Sequence, residues 1–218
     1  MFSQIGQDKF LNDSIFKNFK NGFFVDIGAH DGISFSNTYF FEKYLNWKGI
    51  CIEPNPKVYN QLQKNRDNSI NLNIAIDNKD SECIFLVNHG YTEMLSGIKK
   101  YYDNRHLERI KREQEQHGGY SEEIKIESLK LQSVFNKHNI THVHYLSIDI
   151  EGGEKMCIES IDFNNIFIDI INFENNYAET GFEIIDFLKN KGYELLDFED
   201  KQDIMMINKK SQFYNQKI

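Results

Sequence analysis

Proline is nearly missing from this chain, with two in 218 residues, which excludes a proline-rich linker between domains. No apolar run approaches the ~20 residues of a membrane-spanning helix. The opening MFSQIGQDKF lacks the basic start and apolar core of a secretory leader. Positive charge is in deficit: 25 Lys and Arg stand against 33 Asp and Glu, a net charge of -8. That balance argues against a nucleic-acid backbone as the main partner. Cysteine is scarce too, and Cys51, Cys83 and Cys157 show no paired metal spacing, so they read as reduced core thiols of a cytoplasmic protein. No internal repeat is visible. What is present, 40% hydrophobic residues in alternating strand and helix patterns, suits one α/β domain over residues 1–218.

The organising stretch is 23–55, FFVDIGAHDGISFSNTYFFEKYLNWKGICIEPN. An apolar run carrying Asp26 breaks into a turn with Gly28 and Gly32. A helical spacing of Tyr39, Phe40, Lys43 and Tyr44 follows, and a second apolar run, Ile50 to Ile52, stops at Glu53 and Pro54. Strand, glycine turn, helix, strand and acid make a nucleotide- or nucleoside-binding unit, whose terminal acid can accept ribose hydroxyls. The third glycine of a Gly-x-Gly-x-x-Gly pyrophosphate loop is absent, which counts against an NAD(P)-dependent oxidoreductase. Asp26 and Asp31 would repel a phosphate and suit a ligand carrying an ammonium and a sulfonium.

FVDIGAHDGISFSNTYFFE followed by GICIEPNP resembles the opening motifs of the FkbM-type S-adenosylmethionine-dependent methyltransferases. LSIDIEGGE, residues 146–154, is similar to that family's Asp-x-Glu-Gly-x-Glu segment, and SQIGQDKFL to its lead-in. The resemblance implies a class I methyltransferase (Rossmann-like) fold: a seven-stranded, mostly parallel sheet, helices on both faces and an antiparallel last strand. It also implies O-methylation of a hydroxyl on a sugar/glycan or other small-molecule acceptor, with S-adenosylhomocysteine as product. A binding module that keeps the fold without catalysis is the other alternative.

Along the chain, periodicity predicts a structural helix within 3–20, a crossover helix over 57–66, a third strand over 70–76 and another over 82–87. Residues 88–123 form an insertion with a charged helix at 104–116, too charged for a core position. It reads either as a lid or acceptor-binding element, with Tyr101, Tyr102 and Arg105 toward a sugar, or as a solvated surface helix. A short strand at 124–129 continues into a helix over 128–138, and a strand over 144–151 puts Ser147, Asp149 and Glu151 on one face if it persists that far. A helix over 155–161, a strand over 166–173 and a helix over 180–191 follow. A hairpin, 193–198 with 203–207, and a polar tail close the pattern.

Ligands of such sheets bind at the carboxyl ends of the strands, where Asp26, Glu53, Asp149 and Glu174 all fall. Asp26 and Gly28, within the turn that holds His30 and Gly32, should position the methionyl part of the cofactor, and Glu53 the ribose. The resemblance implies that Ala75 and Ile76 contact the adenine. Asp149, with Glu151 and Glu174, is placed to act as base or to ligate a metal. All-carboxylate donors suit Mg2+ or Mn2+ rather than zinc. Asp149 and Glu151 could instead bind the ligand amine or cap the following helix. His30 is a further active-site candidate. His144 reads chiefly as a core histidine.

Overall fold

A computed structural model of the chain describes residues 1–175, 178–199 and 202–216. Helix α1 (Gln7–Phe10) runs into a π-helical turn over Leu11–Phe16. The alternation then proceeds through β1 (Phe23–Ile27), α2 (Tyr39–Leu45), β2 (Lys48–Ile52), α3 (Pro56–Asn65) and β3 (Ile70–Leu72). After β4 (Ala75–Ile76) come β5 (Ser81–Gly90), β6 (Gly97–Ile98), α4 (Asn104–His117) and β7 (Gly119–Leu129). The chain returns through α5 (Leu131–Lys137), β8 (His142–Ile148), α6 (Glu154–Glu159) and β9 (Phe167–Glu174), then α7 (Ala178–Asn190), β10 (Tyr193–Leu195) and β11 (Asp203–Asn208).

Seven strands form the main sheet in the order β3-β2-β1-β8-β9-β11-β10. Every pairing among β3, β2, β1, β8 and β9 is parallel, whereas β11 runs antiparallel to both β9 and β10. This is the architecture the motifs lead one to expect. Because side chains alternate along a strand, the sheet buries two cores. Val25, Ile27, Ile50, Leu146, Ile148 and Ile171 pack against α5, α6 and α7 through Val134, Ile158 and Leu188. On the other face Phe24, Cys51, Tyr145 and Ile170 meet Leu11, Phe16, Phe41 and Trp47. All three cysteines are buried free thiols.

Several expected boundaries move. The third strand ends at Leu72 because the chain turns at Asn73, whose Nδ2 donates to the carbonyls of Glu53 (2.8 Å) and Pro54 (2.9 Å). Ala75 and Ile76 then join a second, four-stranded sheet in the order β4-β7-β5-β6. Most of that sheet is one long antiparallel pair, Ser81 to Gly90 against Gly119 to Ser128, so β5 and β7 far exceed the short strands expected there. α4 does form, capped by the Asp103 carboxylate on the Arg105 amide (2.7 Å), and it buries His106 and Ile110 on one face. β8 stops at Ile148, and Glu151 adopts a left-handed φ of 58°, so the strict alternation expected for Ser147, Asp149 and Glu151 ends before the two acids. Asn176, Asp200, Lys201, Lys217 and Ile218, within the expected strand end, hairpin turn and tail, lie outside the described residues.

Candidate active site

The turn after β1 stitches three strand tips together. The Gly28 and Ala29 amides both donate to the Ile52 carbonyl at 3.0 Å, and the Asp149 amide donates to the Ile27 carbonyl at 2.9 Å. Gly28 has φ +84°, and a Cβ there would lie 1.8 Å from the Asp149 carbonyl oxygen. Only glycine permits that approach. Gly32, at φ +82°, serves differently: its missing Cβ makes room for the Arg66 side chain, and it does not line the cavity above.

Arg66 was not anticipated from the sequence, where a lone arginine at a helix end gives no signal. Its fully buried guanidinium donates to Glu42 Oε2 (2.8 Å), the Gly32 carbonyl (3.0 Å) and Thr38 Oγ1 (2.9 Å). Thr38 Oγ1 in turn donates to Asp26 Oδ2 at 2.6 Å. Burial pushes the Asp26 carboxyl above the usual range, and the Arg66 charge opposes the shift. Asp31 is committed to its own turn, accepting from the Ile33 and Ser34 amides at 2.8 and 2.7 Å.

A cavity of about 820 Å3 opens over these strand tips, within the range of small-molecule sites. Asp26, Gly28, His30, Glu53, Ala75, Ile76, Asp149, Glu151 and Glu174 all reach it. Glu53 is buried rather than an exposed acid. Its two oxygens accept from the His30 amide (3.0 Å) and the Asn55 amide (2.7 Å), which fixes the carboxylate. Burial raises its pKa to about 7 despite those bonds. Asn55 also caps α3 by accepting from the Lys57 amide. Beside Glu53, Ala75, Ile76, Val58 and Ile98 supply an apolar slot. An acid against an apolar slot, over a glycine turn with no side chain, fits a nucleoside: hydroxyls on the carboxylate, the base in the slot.

Opposite Glu53 sit three carboxylates, Asp149, Glu151 and Glu174, whose nearest oxygens all lie within 4.8 Å of one another. Asp149 faces the open cavity but is recessed among protein atoms, so burial and the Glu154 charge raise its pKa, while a hydrogen bond from Glu174 works the other way. Glu174 is raised much further, by burial and by the Asp149 charge. Two carboxyls this close do not both ionise, so Glu174 keeps the shared proton and Asp149 stays the anion. No side chain caps α6, whose N-cap is Gly153; Glu154 in its first turn reaches back to hold the preceding loop, accepting from the Ile150 amide (3.1 Å) and the Gly152 amide (3.0 Å). An acid directly after two glycines, at a helix start, was the available signal for it.

The insertion docks on this cluster. His106 Nδ1 of α4 lies 3.5 Å from Glu151 Oε2, and Arg109 lines the cavity beside Glu151 and Glu174. Tyr101 also lines it, its hydroxyl held by Asp77 at 2.6 Å; a Cβ on Gly152 would sit 2.7 Å from its carbonyl. Tyr102 points elsewhere, donating to the Leu95 carbonyl and packing on His106, and Arg105 is engaged with Asp103 and Glu179. The N-terminal Gln4, Ile5 and Gln7 form a wall that the sequence had suggested only as a structural helix. Gln7 Nε2 is bonded to Asp203 there. The His30 ring reaches the cavity, with Nε2 3.5 Å from Glu93 Oε1. His144 accepts from the Phe23 amide at the other end of β8 and is not part of the cavity.

Among solved structures, the chain is similar to the methyltransferase FkbM of Methylobacillus flagellatus (10% identity, TM-score 0.49, covering 87% of this chain and 43% of that one). It is similar also to precorrin-6y C5,15-methyltransferase of Geobacter metallireducens (11%, 0.44, 87% and 79%). A third is Aeropyrum pernix fibrillarin with natively bound S-adenosyl-L-methionine (12%, 0.45, 87% and 66%). No curated protein matches the chain. The family model of the methyltransferase FkbM domain matches residues 26–195, from the acid at the first turn to the end of β10. With most of its length inside that match, the chain belongs to the FkbM methyltransferase family and is an S-adenosylmethionine-dependent enzyme.

Proposed function

We propose that the enzyme transfers the methyl group of S-adenosylmethionine to a hydroxyl of a sugar or glycan. Bound S-adenosylmethionine supplies an electrophilic methyl on a sulfonium. Glu53 holds the ribose, Ala75 and Ile76 flank the adenine, and Asp26 with the Gly28 turn and His30 borders the methionyl part. Asp149 takes the proton from the acceptor hydroxyl as its oxygen attacks. Methyl transfer is an in-line displacement, so alignment and proton removal are what the protein contributes. The observation that carries this reading is the Asp149, Glu151 and Glu174 cluster on the cavity floor beside Gly28. In it Asp149 is kept ionised by a neighbour that holds a proton, with a pKa lifted toward the working range of a general base. The lining also carries the amides of Gln4, Gln7, Asn37 and Gln202, which suit a polyol.

A second reading rests on the same oxygens. Their mutual distances of within 4.8 Å also suit one hard divalent cation such as Mg2+ or Mn2+, which would lower the pKa of an acceptor hydroxyl. The test is methyl transfer from labelled S-adenosylmethionine to a panel of methyl glycosides and oligosaccharides, with EDTA or with added Mg2+ or Mn2+. Product that carries the label on a sugar oxygen in EDTA supports Asp149 as a metal-free base. Activity restored only by the cation moves the role to metal ligation. Transfer to no sugar under any condition overturns the glycan reading.

A further inference from the structure

The charge around the cavity is one-sided, and this bears on what the acceptor carries. The floor presents Asp26, Asp149 and Glu151 beside the protonated Glu174, and the walls present Glu53, Glu93, Glu113 and Asp203. Among the described lining residues Arg109 is the one permanent cation, and its Nε is bonded to Glu113 at 2.9 Å. Lys57, beyond the lining, has its Nζ on Glu93 at 3.2 Å. The glycine turn is no phosphate cradle: the space where Gly28 lacks a side chain is filled by the Asp149 carbonyl. Phosphate recognition needs arginine forks, lysines or open backbone amides; among the described lining residues only Arg109 has that chemistry, and it is engaged with Glu113. The mouth offers Phe35, Tyr91 and Met94 instead, all well exposed and all lining the opening. Apolar faces suit stacking on the unsubstituted face of a neutral sugar.

We infer that the acceptor carries no anionic group near the reacting hydroxyl, so that a sugar still attached to its nucleotide diphosphate is not the substrate. The enzyme then acts downstream of glycosyl transfer: the reaction that breaks the bond between sugar and nucleotide precedes methylation. The inference rests on the glycan reading for the identity of the acceptor, but the repulsion it invokes belongs to the cavity alone.

Two measurements separate these. First, kcat/KM is compared for methyl glycosides and for the same sugars as 1-phosphates and uridine diphosphate conjugates, at low and high salt. Each like charge at ~10 Å contributes roughly tenfold at an effective dielectric near 20, so the expected result is a preference of at least about tenfold for the neutral partner. That preference should shrink in high salt and in Glu93→Gln/Glu113→Gln. Equal or better use of the nucleotide-linked sugar overturns the inference while leaving the glycan reading intact. Second, calorimetry compares adenosine, adenosine 5′-monophosphate and 5′-amino-5′-deoxyadenosine, which bring a neutral, an anionic and a cationic group to the same position. The expected order of affinity is amine, then neutral, then phosphate, with about tenfold between neighbours. Monophosphate binding as tight as adenosine overturns the inference, whether or not any sugar is methylated.

Discussion

At the scale of single residues, the cavity floor is governed by which carboxyl keeps a proton. Glu174 keeps one, Asp149 accepts its hydrogen bond, and Glu151 is set apart by its left-handed backbone and its contact with His106. An Asp149→Asn substitution retains the shape and the bond to Glu174 but removes the anion. The expected outcome is a fall in kcat of about 10²- to 10⁴-fold, the usual contribution of general acid-base catalysis, with S-adenosylhomocysteine affinity within about threefold of the parent. Calorimetry and single-turnover rates check this together. A matching loss of affinity would instead make Asp149 a ligand of the cofactor's amine. Arg66 illustrates a different dependence. It touches no cavity, yet through Thr38 it fixes Asp26, and through the Gly32 carbonyl it fixes the turn.

At the scale of elements, the insertion is where sequence reasoning reached least far. The strands β1, β2, β8 and β9 were legible because a buried parallel strand is a short apolar run bounded by an acid or a glycine, and FFVDIG, GICIEP and LSIDIEGG have that form. The helix at 104–116 was legible from its charge pattern and its closing glycines. Which residues it turns inward was not, since His106 and Arg109 are ordinary members of a charged surface until β5 and β7 bring them over Glu151. Long-range placement of this kind has no local signature. The same holds for the N-terminal wall, where Gln4 and Gln7 gain meaning only from β11, whose Asp203 accepts from Gln7. The insertion's role is open to a direct test at its anchor. Asp103→Ala removes the N-cap of α4, which costs about 1 kcal/mol, or roughly 2–4 °C in Tm for a domain of this size. With the first turn of α4 loosened, His106 and Arg109 lose their fixed placement. Acceptor KM should rise several-fold while S-adenosylhomocysteine affinity is unchanged. Equal changes in both would mean that α4 supports the whole cavity, and no change in either would make it a surface helix.

At the scale of the whole molecule, the fold gathers buried acids at the carboxyl ends of its strands. Asp26, Glu53, Asp149, Glu154 and Glu174 all have raised pKa values, each mainly through burial. A carboxyl whose folded pKa exceeds its unfolded value holds its proton more tightly in the folded state. Its contribution to stability is therefore full below the unfolded pKa and is lost as pH rises through the folded one. For Glu53 that window runs from the ordinary 4.5 to about 7. The ligand-free enzyme should thus lose Tm as pH climbs across this range, with a further loss above it because Glu174, raised to about 11, is still protonated, and Glu53→Gln should lose less between 4.5 and about 7. If, as proposed, ribose hydroxyls donate to the ionised form of Glu53, S-adenosylhomocysteine should bind more tightly as pH rises through about 7. Its stabilisation, about 2.7 kcal/mol at 100 times Kd, corresponds to roughly 5–10 °C. Thermal melts from pH 4.5 to 8, with and without S-adenosylhomocysteine at fixed concentration, read both effects. The separation between the two curves should widen with pH in the parent and stay nearly constant in Glu53→Gln. A ligand-free Tm that rises across the window would show that the acids are paired with cations rather than held protonated by burial. A separation that widens equally in both proteins would place the pH-sensitive contact on Asp149 or Asp26 instead of the ribose site.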